Sequence, residues 1–567
     1  MGLRRTLVAV IAVLTSLTLL TTGCAGSRLA HEREARRNHS GGTGGMIPQL
    51  NLPAEFDASV GGLVNYNPYA PQQLVKTWLY EPLMVQDSLS CGVTPWLATK
   101  YTWVGSNKLI FDIRQGVKWS DGSAFTPNDV VTTLNLMKKY PAMDVNGLWT
   151  SAFGAPATSV TAQGDQVIIT FAGPAVSKFS SILGNLIVPA KIYGKVGDPT
   201  KYVDKKPVST GPFLVGSYNG RRLELDRNPD YWQADKIKVQ KLVLQGNYDA
   251  NQAVQMLRNG DLDFYTGEIP NPIKTFVDPN PQLNHVWYAP NGSTVLAPNL
   301  TRKPFSDVRF REAMAYGVNK QQASLKATYG LMQVASQSGL TLPAKKDLLP
   351  PGYALNGGAS TILAYDPAKA NQLLDAAGYT KGPDGFRRNP DGSPIKLTFA
   401  VQAGFIDYQA VADEVVSNLR ALGIDISVVA SQPDSVDALK KTGDFDIMIN
   451  YMAAGCDYVN GVGATLATAQ IPTKTTILGN VERYSNPTVD QALKNLNGET
   501  DQAKVKDEVG VLVNTMMTQY PVVPLFYAPA RAIYRTDKAA GWPSAEDPYC
   551  NPQDNARIWM TRLSAAK

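Results

Sequence analysis

The chain has 567 residues, of which 44% are hydrophobic and 18% charged, against about 25% charged in an average soluble protein. General disorder is excluded, and about two to four domains fit the length. The formal charge of +6 does not describe a nucleic-acid-binding face, because six of the 54 basic and two of the 48 acidic residues precede Met46, leaving a body with a net charge of +2. Of the three histidines, only His285 lies outside the polar N-terminal stretch that holds His31 and His39. A multi-histidine metal site is therefore not expected, nor a Ser-His-Asp triad. The sequence also lacks G-x-S-x-G, Walker-type and H-E-x-x-H motifs.

In chain order, the first element is an export signal. Arg4 and Arg5 precede an uncharged apolar run of 15 residues, Thr6–Leu20, and Thr21, Thr22, Gly23 and Cys24 follow. That run suits a signal-peptide core and is short of the roughly 20 residues that span a bilayer. Its ending resembles the bacterial lipoprotein box, which implies cleavage before residue 24 and acylation of Cys24. Residues 24–45 are charged or glycine-rich and read as a flexible tether. A lipid anchor on a leash places the neutral body at the outer face of the cytoplasmic membrane, outside the cytoplasm.

Strand signals fall at Lys108–Ile113, Val167–Phe171, Arg222–Leu225, Ile395–Phe399, Ile424–Val428 and Phe445–Asn450. Thr126 before Pro127, with Asp129 near the third helical position, predicts a helix start. Asp366 before Pro367 predicts another, with Gly378 as its stop. Ser306 is expected to open a helix that buries Phe310, Ala313, Met314 and Gly317, and Val411, Val415, Leu419 and Leu422 mark one more. Strands and helices interleave, so an α/β architecture is expected.

Residues 109–131 read LIFDIRQGVKWSDGSAFTPNDVV, a stretch that closely resembles the signature of the dipeptide/oligopeptide-binding class of ABC-importer solute-binding proteins, extracellular family 5. Further blocks resemble the family in its order: STGPF at 209–213 with LELDRNPDYW at 223–232, KPFSDVRFREAM at 303–314, and YDPAKANQLL at 365–374. LRALG at 419–423, GDFDI at 443–447 and PVVPLFY at 521–527 complete the series. The resemblance implies a bilobed periplasmic-binding-protein-like fold around a hinge. The first lobe would be 46–295 plus 527–567, with an extra subdomain at 84–204, and the second lobe 296–526. It also implies a non-enzymatic receptor, expected to be a monomer, that passes its ligand to membrane permease subunits served by a separate ATPase. No cofactor, metal or nucleic acid is expected.

Peptide-binding members of the family hold a free α-amino group with an aspartate in a Cys-x-Asp-Tyr-like segment after a strand. The matching residues are Gly455, Cys456, Asp457 and Tyr458, with the cysteine displaced by one. An ammonium opposite a partly desolvated carboxylate makes a charge-assisted bond. Trp542 resembles a cleft-facing aromatic of sugar-binding relatives, and Tyr66, Tyr69 and Trp149 fall where the family fold would bring them near the cleft. The favoured ligand is a short peptide. An oligosaccharide or a cofactor such as haem are the alternatives for the same receptor role, with an exported hydrolase more distant. Because the implied lobes must move apart, Cys91–Cys550 within the first lobe is the expected disulfide if one forms, leaving Cys456 free.

Overall fold

The computed structural model describes residues 45–54, 64–151, 154–246, 248–353 and 360–567. The export signal, Cys24 and all but the last residue of the tether lie outside them. No helix among the described residues is long and apolar enough to cross a membrane.

Two long strands organise the molecule. Asn284–Pro298 and Val523–Arg535 pair antiparallel along most of their length, and register shifts break the ladder between Pro290 and Ser293 and between Thr294 and Val295. Irregularities of this kind bend and twist a ribbon locally. Both strands belong to a six-stranded sheet, which runs in the order Phe264–Tyr265, Val523–Arg535, Asn284–Pro298, Ile447–Met452, Lys396–Gln402, Asp425–Ser431. Lys396–Gln402 and Asp425–Ser431 are parallel. Parallel neighbours require a crossover, and helix Ile406–Ala421 supplies it.

The first lobe is built on two four-stranded sheets. One sets Leu50–Pro53 parallel to Lys241–Gln245, followed by Arg222–Arg227 and Phe213–Tyr218. The other is the antiparallel set Ala98–Val104, Lys108–Ile113, Gln166–Phe171 and Ala157–Gln163, which has its own core around Leu109, Phe111, Val167 and Ile169. A third core fills the second lobe and reaches through the crossing strands to Val254 and Leu257 of helix Ala250–Asn259. Two lobes joined by a two-strand ribbon make the α/β bilobed arrangement that the sequence predicts.

Local chemistry explains where the elements begin. Helix Pro127–Lys139 starts behind Thr126, and the Asp129 carboxylate accepts the Thr126 N–H at 2.8 Å and the Ala190 N–H at 2.9 Å. Helix Pro367–Ala376 is capped by Asp366, whose carboxylate accepts the Lys369 N–H at 2.9 Å. The expected start at Ser306 is corrected: helix Val308–Gly317 is capped by Asp307, which accepts the Arg309 N–H at 2.9 Å. The predicted buried face of that helix, Phe310, Ala313, Met314 and Gly317, is buried.

Candidate functional site

Strand Ile447–Met452 pairs with the first crossing strand up to Met452 opposite Ser293 and then leaves the sheet. Because the pair is antiparallel, the departing chain runs back along the crossing strand toward the first lobe. Residues 453–461 form a tight turn there. Gly455 has φ +51°, and a Cβ at this position would sit 2.7 Å from the Gly461 Cα, so the turn closes only around a glycine. Lys345 fastens it from below, its ammonium donating to the carbonyls of Ala454 (3.1 Å) and Gly455. Asp457 follows, half-buried, with Oδ1 accepting the Val459 N–H at 2.8 Å and Oδ2 accepting the Asn460 side-chain amide at 2.5 Å. Burial pushes its carboxyl up to about 7 against those bonds and against the Lys345 charge. Lys345 is itself drawn down to about 8 by burial, and its ammonium lies 5.3 Å from the centre of the Tyr458 ring. Asp457 is thus a half-buried carboxyl beyond the end of strand Ile447–Met452, with the Lys345 ammonium as its charged neighbour.

The wall opposite comes from the first lobe. A hairpin loop between Met84–Gln86 and Val93–Pro95 is wound around Asp87, whose carboxylate accepts the Ser90 N–H at 2.8 Å, the Ser90 hydroxyl at 2.6 Å and the Asn551 N–H at 2.7 Å. Cys91, at φ +62°, projects from this loop and is disulfide-bonded to Cys456, with Cα atoms 5.2 Å apart. The expected Cys91–Cys550 pairing is thereby corrected. Cys550 is a free thiol fully buried in the first-lobe core. Further contacts join the two walls. The Val176 N–H donates to the Asn497 carbonyl at 2.8 Å, the Asn460 amide to the Ser177 carbonyl at 3.3 Å, and the Ser177 hydroxyl to the Asn497 side chain.

A second cluster of charged and aromatic groups lies along the two long strands. Arg531 on the second crossing strand stands opposite Tyr288 on the first, its guanidinium 5.6 Å from that ring and 3.7 Å from the Glu268 carboxylate. Burial lifts the Glu268 carboxyl, nearby Asp407 adds to the lift, and Arg531 opposes it. Tyr408 and Tyr265 border the same charges. Tyr451, 46% exposed, donates its hydroxyl to the Asn291 carbonyl at 2.9 Å. A separate surface depression of about 530 Å³ is lined by Gly246, Tyr248, Asn251, Gln252, Gln255 and Met256, none of which belongs to that turn.

The structure brings Gly455, Cys456, Asp457 and Tyr458 together, and it puts the other aromatic candidates to different use. Trp542 is only 5% exposed, stacks on Phe264 with ring centres 5.3 Å apart and donates its indole N–H to the Ala539 carbonyl at 3.1 Å. The expectation of a cleft-facing ring is corrected, because a tryptophan among Phe264, Tyr534 and Trp559 removes more apolar surface from water than a loop can. Tyr66 is buried in the same core. Tyr69 spends its hydroxyl on the Leu186 carbonyl at 2.5 Å. The Trp149 indole donates to the Leu134 carbonyl at 2.8 Å beneath the Lys138 ammonium. Lys345, Glu268, Tyr408, Tyr451 and Arg531 were not anticipated. Of these, only Arg531 carries a sequence signal, as a charge between Ala530 and Ala532 in a largely apolar strand.

Among the described residues no group of three or more His, Cys, Asp or Glu side chains is placed to hold a metal ion. The family model described as bacterial extracellular solute-binding proteins, family 5, middle matches residues 92–468. Similar proteins include the nickel-binding periplasmic protein of Escherichia coli, 24% identical over 460 residues, which are 78% of this chain and 82% of that protein. Di/tripeptide-binding protein 1 of Pseudomonas aeruginosa is 25% identical over 350 residues, 59% of this chain and 58% of that protein. Among solved structures, the periplasmic oligopeptide-binding protein of an oligopeptide ABC transporter from Thermotoga maritima superposes with a TM-score of 0.79. It is 25% identical, and the match covers 92% of this chain and 99% of that one.

Proposed function

The chain belongs to the family 5 bacterial extracellular solute-binding proteins, and from that premise we propose that it captures short peptides between its lobes and delivers them to a membrane permease driven by a separate ATPase. One observation carries the choice of ligand: Asp457 is a half-buried carboxylate, held by Val459 and Asn460 in the turn after strand Ile447–Met452 and next to the Cys456 that bonds Cys91. The ammonium of a peptide of about two to six residues adds a direct partner to the more distant Lys345 charge, a pairing of the kind worth roughly 1.5–3 kcal/mol. Gly455 and Cys456 set the turn and Tyr458 flanks the ammonium. The peptide backbone docks as an added strand, so its sequence matters less than its amino terminus. In this reading the first lobe is 46–295 plus 527–567 with its subdomain at 84–204, and the second is 296–526. The protein works as a monomer without chemistry of its own, held by acylated Cys24 at the outer face of the cytoplasmic membrane. Tyr66, Tyr69, Trp149 and Trp542 act through packing.

Thermal melting tests this. A ligand at about 100 times its dissociation constant adds about 2.7 kcal/mol to stability. Trialanine should therefore raise the melting temperature by several degrees, while N-acetyl-trialanine, which lacks the cation, should raise it far less. Asp457→Asn should abolish the difference without altering the circular dichroism spectrum. Equal shifts from the two peptides would remove Asp457 as the anchor. A shift from mannooligosaccharides with none from peptides would replace the ligand class.

A further inference from the structure

The two lobes are joined by three covalent links. Two are the crossing strands, which lie side by side and so define a single hinge line. The third is Cys91–Cys456. It lies off that line, beyond the end of Ile447–Met452, on the flank of the first crossing strand opposite to the second. A ribbon of two strands bends where its ladder is broken, at residues 290–295, but a third link displaced to one side resists any rotation that separates its ends. Neither end has much slack. Cys91 sits on the loop that Asp87 ties to Ser90 and Asn551, and Cys456 sits on the turn that Lys345 ties through Ala454 and Gly455. The residue after Cys456 is Asp457.

We propose that Cys91 and Cys456 are the positioning pair of the ligand site and make its opening redox-dependent. Joined, they hold the Asp457 turn against the first lobe and restrain the lobes from parting. Reduced, they free both. The exchange is with an external dithiol: its two thiols give up two electrons and two protons and close to a disulfide, and Cys91 and Cys456 take them up as two thiols through a mixed-disulfide intermediate. Both bridge residues are partly exposed. The remaining body cysteine is not a competitor, since Cys550 is fully buried and burial pushes its thiol well above the ordinary range, leaving no thiolate to attack the bridge. The inference about opening stands on the covalent geometry alone, and only its effect on exchange rests on the peptide reading above.

The test uses the mature chain without ligand, oxidised and then treated with a dithiol, beside Cys91→Ser/Cys456→Ser. Small-angle scattering should give a larger radius of gyration for the reduced protein and for the double variant than for the oxidised protein. Trialanine should leave the reduced protein at least tenfold faster. Two reactive thiols appearing on reduction of the native protein, mapped to Cys91 and Cys456, identify the bridge. A protein whose two thiols are free as isolated from the cell envelope overturns the proposal. So does an intact bridge whose reduction lowers the melting temperature but changes neither the radius of gyration nor the release rate, since that is a structural staple. If the radius responds while no peptide binds, the latch is supported and the ligand class is what fails.

Discussion

Asp457 carries opposite consequences for binding and for stability. Burial lifts its carboxyl to about 7, whereas an unfolded aspartate ionises near 3.9. An acid whose folded value is raised contributes its stability in full below the unfolded value, and that contribution is lost as pH rises through about 7. The unliganded protein should accordingly lose stability through this group between about pH 4 and pH 7, and Asp457→Asn should flatten that part of the profile. Binding runs the other way. A proton must leave before an ammonium can pair, so affinity for trialanine should climb by up to about tenfold per pH unit below 7. It should fall again above about 8, where the peptide α-amine loses its own proton. Calorimetric titration from pH 5 to pH 9 checks this, and a flat profile would mean that no charge pairs there. That Asp457 stands in a turn after a strand was legible in the sequence, because it lies beside a recognisable motif. Lys345 was not. It lies more than a hundred residues away in a polar stretch, and only the fold brings its ammonium to the carbonyls of Ala454 and Gly455.

The turn that presents Asp457 depends on one backbone conformation. Gly455 adopts φ +51°, and a Cβ there would meet the Gly461 Cα at 2.7 Å and the Asp457 carbonyl oxygen at 2.8 Å. Backbone atoms cannot yield as a flexible side chain can, so Gly455→Ala should cost about 1–3 kcal/mol in stability. Trialanine affinity should fall at least tenfold, read by urea unfolding and by calorimetry on the same sample. Unchanged affinity would show that the turn does not set the anchor. Elements with strong local chemistry were legible: Thr126 with Pro127 and Asp366 with Pro367 mark helix starts that are found in place. Where two capping residues stand together, as at Ser306 and Asp307, the carboxylate takes the role. Strand ends were less legible. The apolar run from Phe445 predicts pairing up to Asn450, but the ladder covers Ile447–Met452. Asp446 keeps its side chain for the Thr398 N–H at 2.8 Å, and Tyr451 still finds Thr294 across the pair. Hydrophobic pattern registers which residues are apolar, and the partner strand decides where pairing begins.

At the scale of the whole molecule, the bilobed plan was legible because its blocks follow one another in a recognisable order. The contacts between lobes were not. They join Cys91 to Cys456, Val176 to Asn497 and Asn460 to Ser177, over separations of hundreds of residues and with no shared local pattern. The Cys91–Cys550 expectation fails at this scale, because a hinge between lobes does not by itself forbid a covalent link across them. The polar contacts have a different dynamic consequence from the bridge. They exist only while the two walls meet, so they stabilise the closed state and leave the approach of a ligand to the open state untouched. Asn497→Ala deletes the side chain that accepts the Ser177 hydroxyl but preserves the carbonyl that receives the Val176 N–H. One hydrogen bond of net worth about 0.5–1.5 kcal/mol then disappears from the closed form alone. Trialanine release should accelerate by about two- to tenfold with the association rate unchanged. Stopped-flow measurements on the reduced protein isolate the effect, because the disulfide no longer holds the walls together. Slower association with unaltered release would place Asn497 on the entry path and not on the closing surface.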